Sequence, residues 1–149
     1  MRRIRVAILT AILIAMAAAG WYLHDPPWIA GITSGLRSWE EDPPGTRFRW
    51  TAGHATFYIP SDVVELTLPL RGAFPSPNGG AVLVRMTVDD RWLADFELHD
   101  PAAWVRQTMP IPDRPTSRRY RRVELRISRT VGQYNLGVQV GELEFRRAQ

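Results

Sequence analysis

The residues best suited to gripping a ligand stand in FRWTAGHATFYIPSD, residues 48–62. An indole face packs well against the apolar face of a pyranose, and a guanidinium or imidazole donates hydrogen bonds to hydroxyls. Arg49, Trp50 and His54 are therefore candidate ligand-binding residues. Six tryptophans in 149 residues is a generous supply. Trp92 and Trp104 join the candidates, because the loops of a β-sandwich gather at its two ends and bring distant residues together. The structural reading of the opening stretch is a hairpin, with Thr51 to Gly53 as a tight turn, His54 starting the return strand and Trp50 as a core aromatic. Arg49 and Trp50 are adjacent, so within a strand they face opposite sides of the sheet.

Other chemistries fail on inventory, and the chain reads as non-catalytic. There is no cysteine, hence no thiol nucleophile, disulfide or thiolate metal site. The histidines are His24, His54 and His99, and no serine stands in a Gly-x-Ser-x-Gly elbow. No glycine-rich phosphate loop opens a helix, and neither a metal nor a cofactor is expected. Glu40, Glu41 and Asp42 could meet Glu142 and Glu144 if first and last strands are neighbours, but no loop has calcium-ligand spacing. Asp95, Glu97 and Asp100 read as solvent-facing residues rather than as an acid–base pair.

The net charge of +4 is unevenly placed. Residues 114–129 hold seven arginines against Glu124, whereas residues 24–113 hold seven against twelve acids. Arg118, Arg119, Arg121 and Arg122 are candidates for contact with an anionic surface, such as lipid headgroups or an envelope polymer. The plainer reading is a solvated edge whose charges discourage edge-to-edge pairing. Without a broad basic face, nucleic acid is not an expected partner.

The elements that must position these residues follow from periodicity. MRRIR precedes an uncharged run from Val6 to Leu23, so residues 1–23 read as a membrane anchor or a signal peptide. A span needs roughly 20 apolar residues, and Trp21 with Tyr22 fits an interfacial aromatic belt. Small residues at Ala17 to Ala19 offer the alternative of cleavage. Either route puts the remainder outside the cytoplasm: a single-pass inner-membrane protein, or a periplasmic one cut near Ala19. Residues 24–45 are rich in Pro, Gly and Ser and read as a linker arm, part of it packing on the domain or lying at the bilayer surface. From Thr46 the period is two. Leu66-Leu68-Leu70, Val82-Val84-Met86-Val88 and Val123-Leu125-Ile127 each alternate with mostly polar residues, separated by turn formers such as Ser76 to Gly80 and Asp89-Asp90. Strands are expected near 46–51, 54–60, 63–73, 81–89, 91–98, 104–111, 119–128 and 136–146, with Gly137 and Gly141 marking a bulge or bend. The fold class is all-β: an antiparallel, jelly-roll-like β-sandwich of about eight strands over 46–149, preceded by the N-terminal helix.

RFRWTAGHATFYIP, VRMTVDDRWLADFEL, YRRVELRIS and LGVQVGELEF occur in an order that resembles a bacterial extracytoplasmic module related to galactose-binding-domain-like jelly rolls. Such modules are found beside cell-envelope glycosyltransferases. Two positions depart from the pattern: Asp89-Asp90 replaces an Asp-Gly turn, and His54 replaces another basic residue. The resemblance implies an accessory, non-enzymatic role, contacting an envelope glycan or a membrane protein that assembles one. The alternative is a structural protein–protein interaction module with no sugar site.

Overall fold

A computed structural model of the chain describes residues 2–42, 45–72, 74–75 and 80–148, with side chains from Val6 onward. Helix α1, Arg2–His24, stands clear of everything else, and its apolar side chains are exposed all round. It is long and apolar enough to cross a bilayer, with a mean hydropathy of 2.1 over its most apolar window. A 3-10 turn, Pro27–Gly31, then leads into the strands.

Among the described residues there are nine strands: β1 Ser34–Asp42, β2 Thr46–Pro60, β3 Val63–Arg71, β4 Val82–Val88, β5 Arg91–Leu98, β6 Val105–Pro110, β7 Tyr120–Ile127, β8 Gln139–Gly141 and β9 Glu144–Arg147. All pairings are antiparallel, and the main path runs β5-β4-β7-β2-β8-β3-β6. This single sheet curls at β2, and its two halves bury a shared core. The alternating runs supply that core: Leu66, Leu68 and Leu70 from β3, Val84 and Met86 from β4, Val123 and Leu125 from β7, all essentially without solvent exposure. The expected all-β sandwich is present, and each alternating face points as its period requires.

The local reading of 48–54 is corrected. No hairpin turns at Thr51 to Gly53; β2 is one strand of fifteen residues. His54 to Pro60 pairs with β7, and Phe48 to Trp50 pairs with β8, both along one edge of β2, with β1 on the other. The strand therefore changes partner and sheet half at the place where a turn was expected. Its burial phase slips there, from Phe48 to Thr51, and then resumes at Ala55, Phe57 and Ile59. Thr51 makes the slip stable. Its buried hydroxyl accepts from the Val138 N–H (2.9 Å) and donates to the Val138 carbonyl (3.1 Å), so backbone groups left by the kink are paired. Gly137 is needed for this approach, because a Cβ there would lie 2.5 Å from Thr51 Oγ1.

Two further differences follow from the same region. The arm expected over 24–45 contains β1, bound along β2 from Asp42↔Thr46 to Ser34↔Thr56 with register shifts between. The last expected strand is split into β8 and β9 just after Gly141, where a Cβ would meet Pro69 at 3.0 Å. Pro43-Pro44 and the Ser76 to Gly79 part of the expected turn lie outside the described residues.

Candidate functional site

The slip in β2 decides where the opening residues point. Arg49 turns toward β1: its Nε donates to the Arg37 carbonyl (2.7 Å), its Nη2 to Thr33 Oγ1 (3.2 Å), and its guanidinium covers Trp39 at 5.3 Å from the ring centre. Partial burial lowers its pKa from the ordinary arginine value. Arg49 is thus engaged in clamping β1 to β2. Trp50 points the other way. Its ring stacks on Phe74 with centroids 5.2 Å apart, meets Phe48 edge-on at 6.0 Å, and donates its N–H to Glu40 Oε2 (3.3 Å).

Trp104, just before β6, reaches the same cluster from the other half of the sequence, 6.2 Å from Phe48. Between the two tryptophans lies Arg71, the last residue of β3. Its guanidinium sits 4.8 Å above the Trp104 ring centre and 5.8 Å from that of Phe48. Two partners fix it there: Nε donates to Gln139 Oε1 (2.5 Å), and Nη2 meets Asp42 Oδ2 (2.7 Å). A guanidinium stacked on an aromatic ring and held by two separate partners is a rigid donor platform rather than a mobile surface charge. Trp50, Arg71, Phe74, Pro75, Pro101 and Gln139 line an open cleft of about 390 Å³. Trp104 lines a second hollow of about 430 Å³ with Arg47, Pro69 and Arg106, on the other side of Phe48. The two hollows have no lining residue in common; they are linked through Phe48, which touches both tryptophans, and through Arg71, which lines the cleft and covers the Trp104 ring.

The other candidates are not part of this cluster. His54 lies on the outer face of the β5-β4-β7-β2 half, its Nε2 3.2 Å from Glu124 Oε2. Trp92 shares that face but not that neighbourhood; it stands opposite Thr87 at the β4–β5 hairpin, 65% exposed. The five candidates thus fall into separate places, with Trp50 and Trp104 the pair that the fold unites.

The basic strip is also corrected. Arg121 is only 3% exposed: its Nε donates to Asp89 Oδ2 and its Nη1 to the Pro112 carbonyl, each at 2.8 Å. It cannot touch an external anion. Arg119 is engaged by Asp25, and Arg122 by Asp90 and Glu124. Only Arg118 of the four makes no ion pair among the described residues. The acids resolve similarly into pairs, with Glu142 on Arg47, Glu144 on Arg106, Asp95 on Arg85 and Glu97 beside His99.

Phe48, Phe74, Arg71 and Gln139 were not singled out from the sequence. Gln139 carried a usable signal, since a lone amide between Val138 and Val140 in a buried run demands a partner. Arg71 carried none beyond standing at a strand end.

No protein-family model matches the chain, and no curated protein matches it by sequence. Solved structures of similar shape include a family 6 carbohydrate-binding module whose binding sub-sites were dissected by crystallography and isothermal titration calorimetry. It has 12% identity, with 78% of this chain and 87% of that one covered and a TM-score of 0.48. The module CsCBM6-3 of Clostridium stercorarium, in complex with cellobiose, has 8% identity over 78% and 87%, TM-score 0.46. A family 6 carbohydrate-binding module of Clostridium cellulolyticum, in complex with xylose, has 11% identity over 77% and 89%, TM-score 0.47. Likenesses this distant say nothing of what this chain binds, and its fold rests on its own pairing and core.

Proposed function

We propose that the chain is a non-catalytic binding module, held at the outer face of the inner membrane by α1, that takes a cell-envelope glycan across the Trp50 cleft and the neighbouring Trp104 hollow. The observation that carries this reading is the Arg71 platform: a guanidinium fixed by Gln139 and Asp42, flanked by half-buried aromatic rings, opening to solvent. Such a surface offers flat apolar faces for sugar rings and fixed polar groups for hydroxyls, with little side-chain entropy left to lose on binding. Indole, guanidinium and amide are holding groups; none of them is a nucleophile or a general base at neutral pH. A membrane protein that assembles the same glycan would be the natural neighbour for such a module.

Calorimetric titration of the full chain in neutral detergent with envelope polysaccharide fragments tests the proposal. Trp104→Ala and Trp50→Ala should each weaken binding about 30-fold, the loss expected for a central aromatic anchor. Trp92→Ala, which alters an exposed indole elsewhere, should leave it unchanged. Flat titrations across the panel, combined with capture of a membrane protein by the same bait, would instead favour the structural interaction module.

A further inference from the structure

Beyond α1, the arginine side chains that make no hydrogen bond or ion pair among the described residues are Arg91, Arg114, Arg118 and Arg126. The first three line one cavity, of about 500 Å³. Tyr58, Tyr120 and Thr116 complete its polar wall, and His24 and Asp25, where α1 ends, form its rim. The acids that enter this lining are already matched. Asp25 holds Arg119, Asp89 holds Arg121, and Asp90 holds Arg122. The cavity is therefore left with three uncompensated guanidiniums. Arg114 is moreover half-buried, where an unpaired charge is costly.

The position of the cavity narrows its ligand. Asp25 Oδ2 accepts the Arg119 backbone N–H at 2.8 Å, which pins the outer end of the helix to the start of β7. The three arginines are consequently held beside the point where the chain leaves α1. Guanidinium groups recognise phosphate oxygens by paired hydrogen bonds, and a volume near 500 Å³ suits a headgroup-sized ligand.

We propose that this cavity binds a phosphate group, delivered by an anionic phospholipid headgroup at the outer end of α1. The phosphate chemistry rests on the arginines alone; its lipid source rests on the membrane anchoring proposed above.

The test uses the full chain in neutral detergent, supplied with phosphatidylcholine alone or with an equal mixture of phosphatidylcholine and phosphatidylglycerol. Native mass spectrometry counts the lipid retained. Phosphatidylglycerol should be preferred, and the preference should fall about fivefold in Arg114→Gln and on the order of 100-fold in the Arg91→Gln/Arg114→Gln/Arg118→Gln triple variant. Arg126→Gln removes the same charge outside the cavity and should change nothing. If the triple variant unfolds, as a melting curve would reveal, the single Arg114→Gln variant carries the comparison. Wild-type preference in the folded Arg114→Gln and triple variants, or an equal loss in Arg126→Gln, overturns the assignment. A titration with inorganic phosphate separates the sources. Displacement of lipid by millimolar phosphate identifies a site for phosphate from either source, whereas arginine-dependent lipid retention without displacement identifies the headgroup. No phosphate or lipid preference in any arm removes both the site and its lipid source.

Discussion

The β4–β5 hairpin turns through Asp89 and Asp90, both in the left-handed region, at φ +51° and +63°. A two-residue turn of this kind normally takes Asn-Gly or Asp-Gly, because each non-glycine residue there loses about 1 kcal/mol. The same cost bears on both residues, but their carboxylates do different things. Asp90 is 75% exposed and pairs with Arg122 at the surface, a contact worth about 0–1 kcal/mol. Replacing it by glycine removes that contact and relieves the backbone, so Asp90→Gly should be neutral or stabilising by up to ~1 kcal/mol. Asp89 faces Arg121, which is 3% exposed, and also accepts the Arg122 backbone N–H at 3.1 Å. Removing one partner of a buried pair costs about 3–5 kcal/mol. Because the Asp89 side chain is itself 42% exposed, water can reach the gap, and the lower end applies. Subtracting the relieved backbone, Asp89→Gly should destabilise by ~2 kcal/mol, a drop in melting temperature of about 8 °C for a domain of this size. Thermal unfolding of the two full-length variants, followed by β-sheet circular dichroism, makes the comparison. Equal shifts for the two variants would refute the account, because it assigns the whole difference to the buried guanidinium.

Gly137→Ala should cost about 1–3 kcal/mol, since the new methyl would lie 2.5 Å from Thr51 Oγ1 and 2.8 Å from the Ala52 carbonyl; Gly72→Ala, whose Cβ meets nothing closer than 3.7 Å, should be tolerated in the same chemical denaturation series. The carboxyls of Glu65 and Asp95 are held below their ordinary range, first by hydrogen bonds from Arg146 and Arg85 respectively. Folded values below the unfolded ones mean that the unfolded chain binds more protons, so this stability is complete above about pH 4–5 and fades as pH falls through the folded values. Melting curves should therefore be level from neutral pH to about 5 and decline below 4, with a shallower decline in Glu65→Gln/Asp95→Asn.

The fold was legible because its core runs are simple. Leu66-Leu68-Leu70 and Val84-Met86-Val88 state a period of two without interruption, and burial of one face leaves no choice of register. What defeated local reading was Thr-Ala-Gly-His. Its residue types suit a turn, yet tertiary pairing overrides them: the Thr51 hydroxyl satisfies the Val138 backbone, and a strand that looks broken runs through. β1 was hidden for a different reason. Its burial follows no alternation, because it lies along an edge and is held by Trp39 under Arg47 and Arg49 rather than by an apolar face. The candidate site was legible by halves. Trp50 and Trp104 were visible as aromatics, but the groups between them come from the ends of β3 and β8, and no spacing along the chain foretells that meeting. Nor does residue type separate Arg121, buried against Asp89, from Arg118, which is left without an acid.

Strand β2 also sets how the two proposed sites relate. Tyr58 lines the basic cavity beside the helix end, and Trp50 lines the aromatic cleft. Eight residues of extended chain separate them, at most about 26 Å at 3.3 Å per residue. Under the proposed anchoring by α1, the arginine cavity, rimmed by His24 and Asp25, is the one of the two that stands beside the lipid surface. The chemistry differs between the two, with guanidinium excess beside the end of α1 and stacked rings at Trp50. The sites are also separable, because the residues of one do not line the other and the rigid core strands lie between. Trp104→Ala should leave phosphatidylglycerol retention at its wild-type level, and the arginine triple variant should leave glycan titrations intact. Loss of both activities in either variant would mean that the two ends are coupled through β2, which its pairing with β8 over Phe48 to Trp50 and with β7 over His54 to Pro60 otherwise holds fixed.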